Sequence, residues 1–501
     1  MKMPEETTVK SANPIEQRFR KIRRYHYFFF FILFLSKLPL FWHFISLIFL
    51  SPRMDFYCDV NKGGKNYCPC ENPRWDTSVF TKTIQTKFNL HCERQWLVTL
   101  TQSTVYIGTL FGSYGFGRWS DKWGRRSACV YSCLTLTVSG CLLSFMPGIV
   151  SFLIVRFIEG AACGGYVVVV FVFLVEFCGP NNREIVSVLF HIPPNFGHAT
   201  LAAVSYLLRD CDYFQLAISV PLIIFVSMRC LLYESPKWLL DLGRLDEAAD
   251  VMGKIDKFNK EPNPSMKPEL EAFRASMTSN TKVTFWEIFK HKRLTINFVC
   301  MAYIYFVCGM GFYGVSQYIG HMSGDIHKNV ALSGLLLIPG TCIALLLIKV
   351  LSRRQFLMLT SLISGVFIII VVFLNEDLNL LKVIFACICN SGFYLSFLVA
   401  FLYGVELFPT SIRSSALGTL STISRIGQIV APQINTLSPF AAALTFGIMA
   451  IIGTALCIPL PETKNVELPS TVEDTKIQDK AKKVKHNVEG ATSDQEAAPS
   501  K

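Results

Sequence analysis

Residues 112–127, GSYGFGRWSDKWGRRS, combine glycines with an aspartate and several basic residues between two long apolar runs. The chain of 501 residues is 51% hydrophobic and 17% charged, whereas ordinary soluble domains carry about 25% charged residues. Runs such as 28–50, 128–150 and 437–460 approach the roughly 20 apolar residues with which a helix crosses a bilayer. The quoted stretch therefore connects two membrane spans, and its charges lie at the edge of the bilayer.

The apolar runs predict an all-α polytopic membrane protein with twelve transmembrane helices. They show no alternation with a period of two, which disfavours a transmembrane barrel, and only helices or closed barrels satisfy the backbone in lipid. The predicted spans are 26–50, 95–117, 127–147, 150–178, 185–208, 213–233, 294–318, 330–351, 355–374, 382–407, 413–435 and 437–460.

These spans predict two six-helix halves. The first half covers 26–233 and the second covers 294–460, with a charged central loop at 234–293. A segment at 1–25 precedes the first half, a loop at 51–94 lies outside, and a polar tail at 461–501 is expected to be disordered.

Basic residues near the span ends predict the orientation. Arg23 and Arg24 precede the first span, and Arg125, Arg126 and Arg353 fall in alternate loops, so we expect both termini to be cytoplasmic. The same clusters account for most of the net charge of +12. The predicted partner of this charge is the lipid bilayer, and no nucleic-acid partner is predicted.

The outer loop carries an even number of cysteines. Cys58, Cys68, Cys70 and Cys92 fall in a segment expected to face an oxidising compartment, which favours two disulfides of undetermined pairing. The Cys68-Pro69-Cys70 spacing lacks the two-residue spacer of zinc knuckles, so a metal site is disfavoured.

No motif of an enzyme is found. The chain lacks a phosphate-binding loop ending in Gly-Lys-Ser/Thr, a His-Glu-x-x-His and a Gly-x-Ser-x-Gly. The apolar-segment histidines His43, His191 and His198 have no evident serine or cysteine partner. The sequence therefore predicts no catalytic activity, no cofactor and no metal.

An internal repeat supports the two-half plan. The fourth span ends with EFCGPNNR at 176–183 and the tenth ends with ELFPTSIR at 406–413. Two parallel six-span halves are the plan of transporters whose halves rock about a site near the middle of the bilayer.

The opening stretch then predicts a charged latch between the halves on the cytoplasmic side. Glycines let helices approach closely, Asp121 can face a helix N-terminus, and basic residues can pair with carboxylates of other spans. The predicted latch residues are Gly117, Asp121, Lys122, Gly124, Arg125, Arg126, Glu176, Arg183, Glu234, Glu406 and Arg413.

Gly117 to Arg126 resembles the signature loop of the major facilitator superfamily. Stretches at 92–113, 156–165, 234–248 (ESPKWLLDLGRLDEA), 405–418 (VELFPTSIRSSALG) and 460–474 resemble the organic cation, anion and carnitine transporter family, solute carrier family 22. The resemblance covers about residues 26–474. It implies a twelve-span major facilitator fold, alternating access, a central cavity for small organic ions, a possible coupling or counter-ion, and the plasma membrane.

Two departures from the family are visible. The second inner loop, LSRRQF, lacks the glycine of the signature, which weakens the expectation that both halves form the same cluster. Thr341 stands where the family's anion carriers tend to have a lysine, while Arg425 matches the arginine of the anion and carnitine carriers.

Two basic residues are predicted at mid-depth. Arg425 is twelve residues beyond Arg413, or roughly 18 Å along a helix, and Lys37 is thirteen beyond Arg24. A charge facing lipid costs about 3 kcal/mol, so both are expected to face the interior. The alternatives are that Arg425 is neutralised by main-chain carbonyls or a neighbouring polar group and serves packing alone, and that Lys37 snorkels or sits beside Pro39 and satisfies a carbonyl freed there.

No acidic residue is predicted at the centre, since Glu176 and Glu406 end their spans, and Arg156 with Glu159 is interpreted as a structural pair. These charges favour an organic anion or a carnitine-like zwitterion as substrate. The alternatives are a cation carrier of the same family, a transport-inactive scaffold or receptor, and a neutral-sugar uniporter. Predicted substrate contacts are Arg425, Lys37, Tyr313, Phe306, Tyr394 and Phe397, with Tyr303 and Phe393 as further wall candidates.

Overall fold

A computed structural model describes residues 13–58, 65–70, 72–179, 182–261, 266–276, 285–409 and 412–464. The predicted tail at 461–501 lies outside the described residues from 465 onward, as do Pro180 and Thr410 of the repeated motif.

The predicted spans correspond to helices or to runs of consecutive helices. The first half contains α1 (Pro14–Arg18), α2 (Arg24–Ile45), α3 (Leu47–Leu50), β1 (Phe56–Tyr57), β2 (Arg74–Trp75), α4 (Ile84–Phe88), α5 (Trp96–Trp123), α6 (Arg125–Leu143), α7 (Ile149–Glu176), α8 (Arg183–Leu189), α9 (Ile192–Leu207), α10 (Cys211–Ser219), α11 (Ile223–Val226) and α12 (Met228–Leu231). The central loop contains α13 (Pro236–Asp241), α14 (Leu245–Asn259) and α15 (Lys267–Ser276). The second half contains α16 (Lys292–Gly320), α17 (Ile326–Val350), α18 (Arg353–Phe373), α19 (Asn379–Leu407), α20 (Arg413–Ile434) and α21 (Pro439–Leu456). Short 3-10 helices occur at Cys92–Arg94, Val220–Leu222, Phe285–Lys290 and Glu376–Leu378.

Within the described residues, nine helices are long and apolar enough to cross a membrane. The other three predicted spans correspond to α5, to α8 with α9, and to α20. These segments carry more Ser, Thr, Gln and Asn because they pack against each other or against the second half rather than lying wholly in lipid. The described helices thus follow the predicted plan of twelve spans, six in each half.

The outer surface of the bundle is apolar. Phe111 is 62% exposed, Ile154 is 59% exposed and Leu346 is 67% exposed. Exposed apolar side chains distributed around a helical bundle are stable when the surrounding solvent is hydrocarbon. The surface therefore matches a multi-pass membrane protein.

Two disulfides close the loop between α3 and α5. Cys58 is bonded to Cys70 and Cys68 to Cys92, with Cα separations of 5.9 Å and 5.7 Å. Strands β1 and β2 pair antiparallel in the same loop. The structure thus gives the connectivity that the sequence left open. We call this end of the bundle the disulfide end, and the opposite end, which carries Arg125 and Arg353, the latch end.

The signature stretch is more helical than the sequence predicted. Helix α5 continues to Trp123, so Gly117, Asp121 and Lys122 lie in its last two turns rather than in a loop. Gly124 alone makes the turn, with φ of +102°, a backbone conformation that glycine adopts without strain.

The glycines of α5 fall into two groups, which differ in whether another helix packs against them. Side chains at Gly108 and Gly112 would collide with the backbone of α7 at Phe157 and Ala161, so these two glycines do permit close helix packing. Side chains at Gly115 and Gly117 would meet nothing within 4 Å. The expectation that Gly117 is needed for close approach is therefore wrong.

Candidate functional site

A central cavity lies between the two halves and has a volume of about 130 Å³. Its walls come from α2, α7 and α9 of the first half and from α16, α19 and α20 of the second. Five of the six predicted substrate contacts line it, namely Lys37, Tyr313, Tyr394, Phe397 and Arg425. All of its lining residues are described, and none of them is an aspartate or a glutamate.

Phe306 is the predicted contact that does not line the cavity. A side chain at Gly427 would collide with the carbonyl oxygen of Phe306, and one at Gly309 would collide with Ser424. Helices α16 and α20 are therefore in backbone contact at this depth. Phe306 lies in that contact rather than in the cavity wall.

Arg425 is the cation of the second half in this cavity. Within the described part of the chain, its guanidinium makes no hydrogen bond and no ion pair. Tyr313 of α16 is close enough to interact with it electrostatically. The alternative that main-chain carbonyls neutralise Arg425 is not observed here.

Lys37 is the cation of the first half, and the chain provides a partner for it. Its Nζ lies 3.5 Å from the centre of the Phe190 ring and 3.5 Å from the Phe190 carbonyl oxygen. That carbonyl would normally accept from the residue four positions later, but Pro194 has no N–H. Lys37 therefore satisfies a carbonyl freed by a proline, and this carbonyl lies at the junction of α8 and α9 rather than beside Pro39 of its own helix.

Aromatic rings form much of the remaining wall. Phe312 lies 5.2 Å from Tyr394 and 5.1 Å from Tyr313 between ring centroids, and the Tyr394 hydroxyl donates to the His191 carbonyl over 2.7 Å. Tyr303 and Phe393, the further candidates, do not line the cavity. The Tyr303 hydroxyl donates instead to the Met449 carbonyl over 3.2 Å.

Sequence reasoning missed several lining residues that periodicity could have found. Phe41 and Phe44 follow Lys37 by four and seven positions on α2, and Gln428 follows Arg425 by three on α20. Residues three, four and seven apart share a helix face. Listing the residues three, four and seven positions after each predicted cation would therefore have identified these lining residues.

At the latch end, Arg125 is the centre of a cluster in the first half. Its guanidinium donates to Glu176 over 3.0 Å and to Asp121 over 2.5 Å. Glu234 accepts the main-chain N–H groups of Arg125 and Arg126 over 2.9 Å and 3.0 Å. Glu234, rather than Asp121, therefore caps the N-terminus of α6.

Burial raises the pKa of Glu234 above its ordinary value, although the main-chain N–H groups around it lower the pKa in part. A side chain on Gly124 would meet this carboxylate. Gly124 thus supplies both the turn and the space for the capping group.

The second half repeats the cluster without the glycine. Arg353 donates from Nε to Glu406 over 3.2 Å, and its main-chain N–H donates to Glu462 over 3.1 Å. Ser352 occupies the position of Gly124, with φ of −73°. The second half thus forms a similar cluster although its loop lacks the glycine, because the contacts of Arg353 with Glu406 and Glu462 do not need a glycine at position 352.

The two clusters agree in detail. Arg126 donates to the Leu232 carbonyl over 3.2 Å, and Arg354 donates to the Leu460 carbonyl over 3.5 Å. The ion pairs of Arg125 with Glu176 and of Arg353 with Glu406 each lie within one half. These ion pairs do not join the halves, so the prediction of a latch between the halves is wrong for them; the described residues instead form two separate clusters, one in each half.

Three predicted latch residues have other partners. Arg183 pairs with Glu16 of α1 over 2.6 Å, and Glu16 also accepts from Lys237 over 2.5 Å. Arg413 donates to the Phe408 carbonyl over 3.1 Å. Lys122 lies 4.5 Å from the ring centre of Trp123.

The halves meet across the disulfide end through a set of side chains that the sequence did not indicate. Gln317 donates to Gln102 over 2.6 Å, and the Ser103 hydroxyl is hydrogen-bonded to the side-chain amide of Gln433 over 2.7 Å. Arg53 donates to the Asn435 carbonyl over 3.0 Å. We call these contacts the amide gate.

The chain matches the family described as Sugar (and other) transporter over residues 55–474. The chain belongs to this family. The Beta-alanine transporter of Drosophila melanogaster is 30% identical over 419 residues, covering 81% of this chain and 68% of that protein. Solute carrier family 22 member 1 of Bos taurus is 29% identical over 420 residues, covering 83% of this chain and 74% of that protein.

A solved structure of the same architecture is the xylose transporter XylE from E. coli in a partially occluded inward open conformation. It has a TM-score of 0.66 and 15% sequence identity, covering 89% of this chain and all of that one. Together with the relatives, this fold makes the chain a solute carrier family 22-like member of the major facilitator superfamily and a membrane transporter of organic ions.

Proposed function

We propose that this chain is a secondary carrier of small organic anions or zwitterions that works by alternating access. The observation that carries the proposal is the unpaired guanidinium of Arg425 in a cavity whose lining, all of it described, has no carboxylate. A charge that is partly withdrawn from water and has no partner is destabilising. A carboxylate on the substrate offsets that cost and completes a bidentate hydrogen-bonded pair.

Lys37 supports the same sign of substrate. Its ammonium faces an aromatic ring and a carbonyl oxygen, neither of which neutralises its charge. The first half and the second half thus each contribute one cation to the cavity. An anion between them would be attracted by both halves, as a carrier that closes around its substrate requires.

The proposal includes zwitterionic substrates because the aromatic wall of the same cavity can bind a positive group. The rings of Phe312, Tyr313 and Tyr394 can face a substrate ammonium through their negative faces. One relative is named for a zwitterion, the Beta-alanine transporter. Another is named Organic cation transporter protein, also from Drosophila melanogaster and 28% identical, so a cation carrier is the competing assignment.

We propose the plasma membrane as the location, with both termini and the latch end on the cytoplasmic side. The basic residues of the latch end and the disulfides of the opposite end support this orientation. The proposed halves are 26–233 and 294–460, joined by the loop 234–293.

The test is uptake of radiolabelled p-aminohippurate, carnitine and tetraethylammonium in one expressing cell line. We expect saturable uptake of p-aminohippurate or carnitine, and at least a tenfold loss in Arg425→Ala at unchanged surface level. The matched control is Arg118→Ala. Arg118 lies on α5, its guanidinium donates a hydrogen bond to the Tyr114 hydroxyl, and it does not line the cavity. Preference for tetraethylammonium would overturn the substrate sign, and no flux of any probe would favour a transport-inactive scaffold.

A further inference from the structure

A second cavity lies at the disulfide end, outside the amide gate, and has a volume of about 210 Å³. We call it the outer recess. The ends of α16, α18, α19 and α21 form its walls, and Arg53, which follows α3, enters it from the first half. All of its lining residues are described, and none of them is an aspartate or a glutamate.

Two cations line the outer recess. Lys382, in the first turn of α19, makes no hydrogen bond and no ion pair within the described part of the chain. Arg53 donates to the Asn435 carbonyl over 3.0 Å, and among the described residues this is its one hydrogen bond, so other N–H groups of its guanidinium remain available. Withdrawal from water, together with the Arg53 guanidinium, lowers the pKa of His321 to about 3, so this further lining residue is neutral.

An adjoining cavity shares Arg53 with the outer recess and does contain three aspartates. Each of the three is bound to a different group: Asp55 to Lys65, Asp76 to the Ser78 main chain and Asp325 to the His327 main chain. None of the three forms an ion pair with Arg53. The positive charge of Arg53 is therefore not paired with a carboxylate of the described chain.

The outer recess adjoins the amide gate, because Arg53 and Asn435 belong to both. Asn435 is 5% exposed, and its side-chain oxygen has no partner among the described residues. A carboxylate can bind a guanidinium and an ammonium, while a donor elsewhere on the same molecule can bind this oxygen. Tyr318 and Phe440 add aromatic surface to the wall. The lining therefore suits a small organic acid better than an inorganic anion.

We propose that the outer recess is a second binding site, which takes a small organic carboxylate from the disulfide side while the amide gate is closed. The carboxylate binds Arg53 and Lys382, and the organic body lies against Phe440. The choice of ligand rests on the proposed carrier function, but the site is separate from the central cavity. Arg53 is more exposed to water than Arg425, so we expect the outer site to bind more weakly.

The experiment measures protection of a cysteine in the outer recess. Ser323, which is exposed and lines the recess, is changed to cysteine in full-length Arg425→Met, in which the cation of the second half is absent from the central cavity. The purified protein is labelled with a polar thiol reagent, and Arg425→Met alone gives the background. We expect p-aminohippurate to slow the labelling at least threefold, and its methyl ester, which lacks the carboxylate, to leave the rate unchanged.

The variant of the site is Lys382→Gln. Because Lys382 has no partner to lose among the described residues, this change removes only a charge. It should raise the half-protective concentration of p-aminohippurate about fivefold, as for the loss of one exposed ion pair, and Lys382→Arg should restore protection.

The matched control for the reporter is Asn375→Cys. Asn375 is exposed at the same end of the bundle and does not line the outer recess. Its labelling should be the same with and without p-aminohippurate. If Ser323→Cys does not fold, Asn379→Cys is the reporter, since Asn379 also lines the recess.

The outcomes separate the two proposals. No protection by p-aminohippurate, equal protection by its methyl ester or by sodium chloride, or an unchanged half-protective concentration in Lys382→Gln would each overturn the outer site without bearing on uptake through the central cavity. Protection that depends on Lys382, in a chain that transports none of the probes, would support the outer site and overturn the carrier function.

Discussion

The two ends of the bundle are held by different chemistry. At the latch end, arginine and glutamate form compact ionic clusters within each half, around Arg125 and around Arg353. At the disulfide end, the contacts between halves are mostly amides and hydroxyls, such as Gln317 with Gln102. A neutral hydrogen bond contributes only about 1 kcal/mol net, so halves joined this way can separate. The partly buried ion pairs hold helices together within each half.

This difference also indicates the state of the carrier. The amide gate joins α5 to α16 and α20, whereas the ion pairs named at the latch end are internal to one half. The structure is therefore closed at the disulfide end.

The largest effect is expected at the ionic clusters. Arg125→Ala leaves Glu176 without its pair, and Arg353→Ala does the same to Glu406, with side chains at most 16% exposed. Removing one partner of such a pair costs about 3 kcal/mol, the low end of the range for buried pairs. The check is the apparent Tm in detergent, which should fall by a similar amount in both variants.

The control for this prediction is Arg244→Ala, whose pair with Glu247 is about half exposed. Exposed pairs contribute about 1 kcal/mol or less, so its Tm should stay close to wild type. A large fall for Arg125→Ala with none for Arg353→Ala would contradict the equivalence of the two clusters.

A smaller effect is expected at the amide gate. Gln317→Leu removes the bond to Gln102, and the loss of about 1 kcal/mol shifts the balance of conformations roughly fivefold toward an open disulfide end. The measurement is the labelling rate of Gln428→Cys, in the cavity, by an impermeant thiol reagent applied to the disulfide face. The chain without that cysteine gives the background.

Gln102→Leu combined with Gln317→Leu is the matched variant for the gate. Two apolar side chains leave neither amide facing a lost partner, and Asn435 and Ser51 keep their bonds to main-chain carbonyls, so the labelling rate should return toward wild type. An unchanged rate in Gln317→Leu alone would show that the gate does not hold this end closed.

The smallest effect separates the two capping glutamates. Burial raises the pKa of Glu234. Burial acts in the same direction on Glu462, but hydrogen bonds from Ser352 and neighbouring main-chain N–H groups outweigh it and lower the pKa below the ordinary value. Glu462→Gln should therefore lower the free energy of unfolding at neutral pH by about 1 kcal/mol more than Glu234→Gln does, because it removes hydrogen bonds to a charged acceptor. The measurement is the Tm, which should be lower in Glu462→Gln.

The pH dependence has opposite signs at the two positions. The raised pKa of Glu234 makes its contribution to stability fall as pH rises through that pKa. The lowered pKa of Glu462 makes its contribution fall as pH drops through that pKa. Tm profiles of the two glutamine variants against pH should therefore diverge from wild type in opposite directions, and parallel profiles would refute the assignment.

Sequence was sufficient for the fold because hydrocarbon imposes a simple rule on span length and composition. The twelve predicted spans match helices to within a few residues, apart from α5, which continues six residues beyond its predicted end at 117. That extension could not be predicted from hydropathy, because Arg118, Asp121 and Lys122 end the apolar run without ending the helix.

The candidate site was predictable only in part. A cation halfway across the bilayer is expected to face the protein interior, and this rule predicted that Arg425 and Lys37 line a cavity. Both of them do. The partner of Lys37 depends on α9, and the amide gate joins residues more than 200 positions apart, Gln102 and Gln317. Neutral amides at such separations leave no pattern in a sequence, so they emerge only from the packed structure.

The central claim is that the unpaired Arg425 binds the negative group of the substrate. The most direct measurement is the affinity of purified protein for radiolabelled p-aminohippurate by scintillation proximity, in wild type, Arg425→Lys and Arg425→Met. We predict about tenfold weaker binding for Arg425→Lys, which loses the bidentate geometry, and at least a hundredfold for Arg425→Met, about 2.7 kcal/mol. Equal affinity in wild type and Arg425→Met would contradict the account.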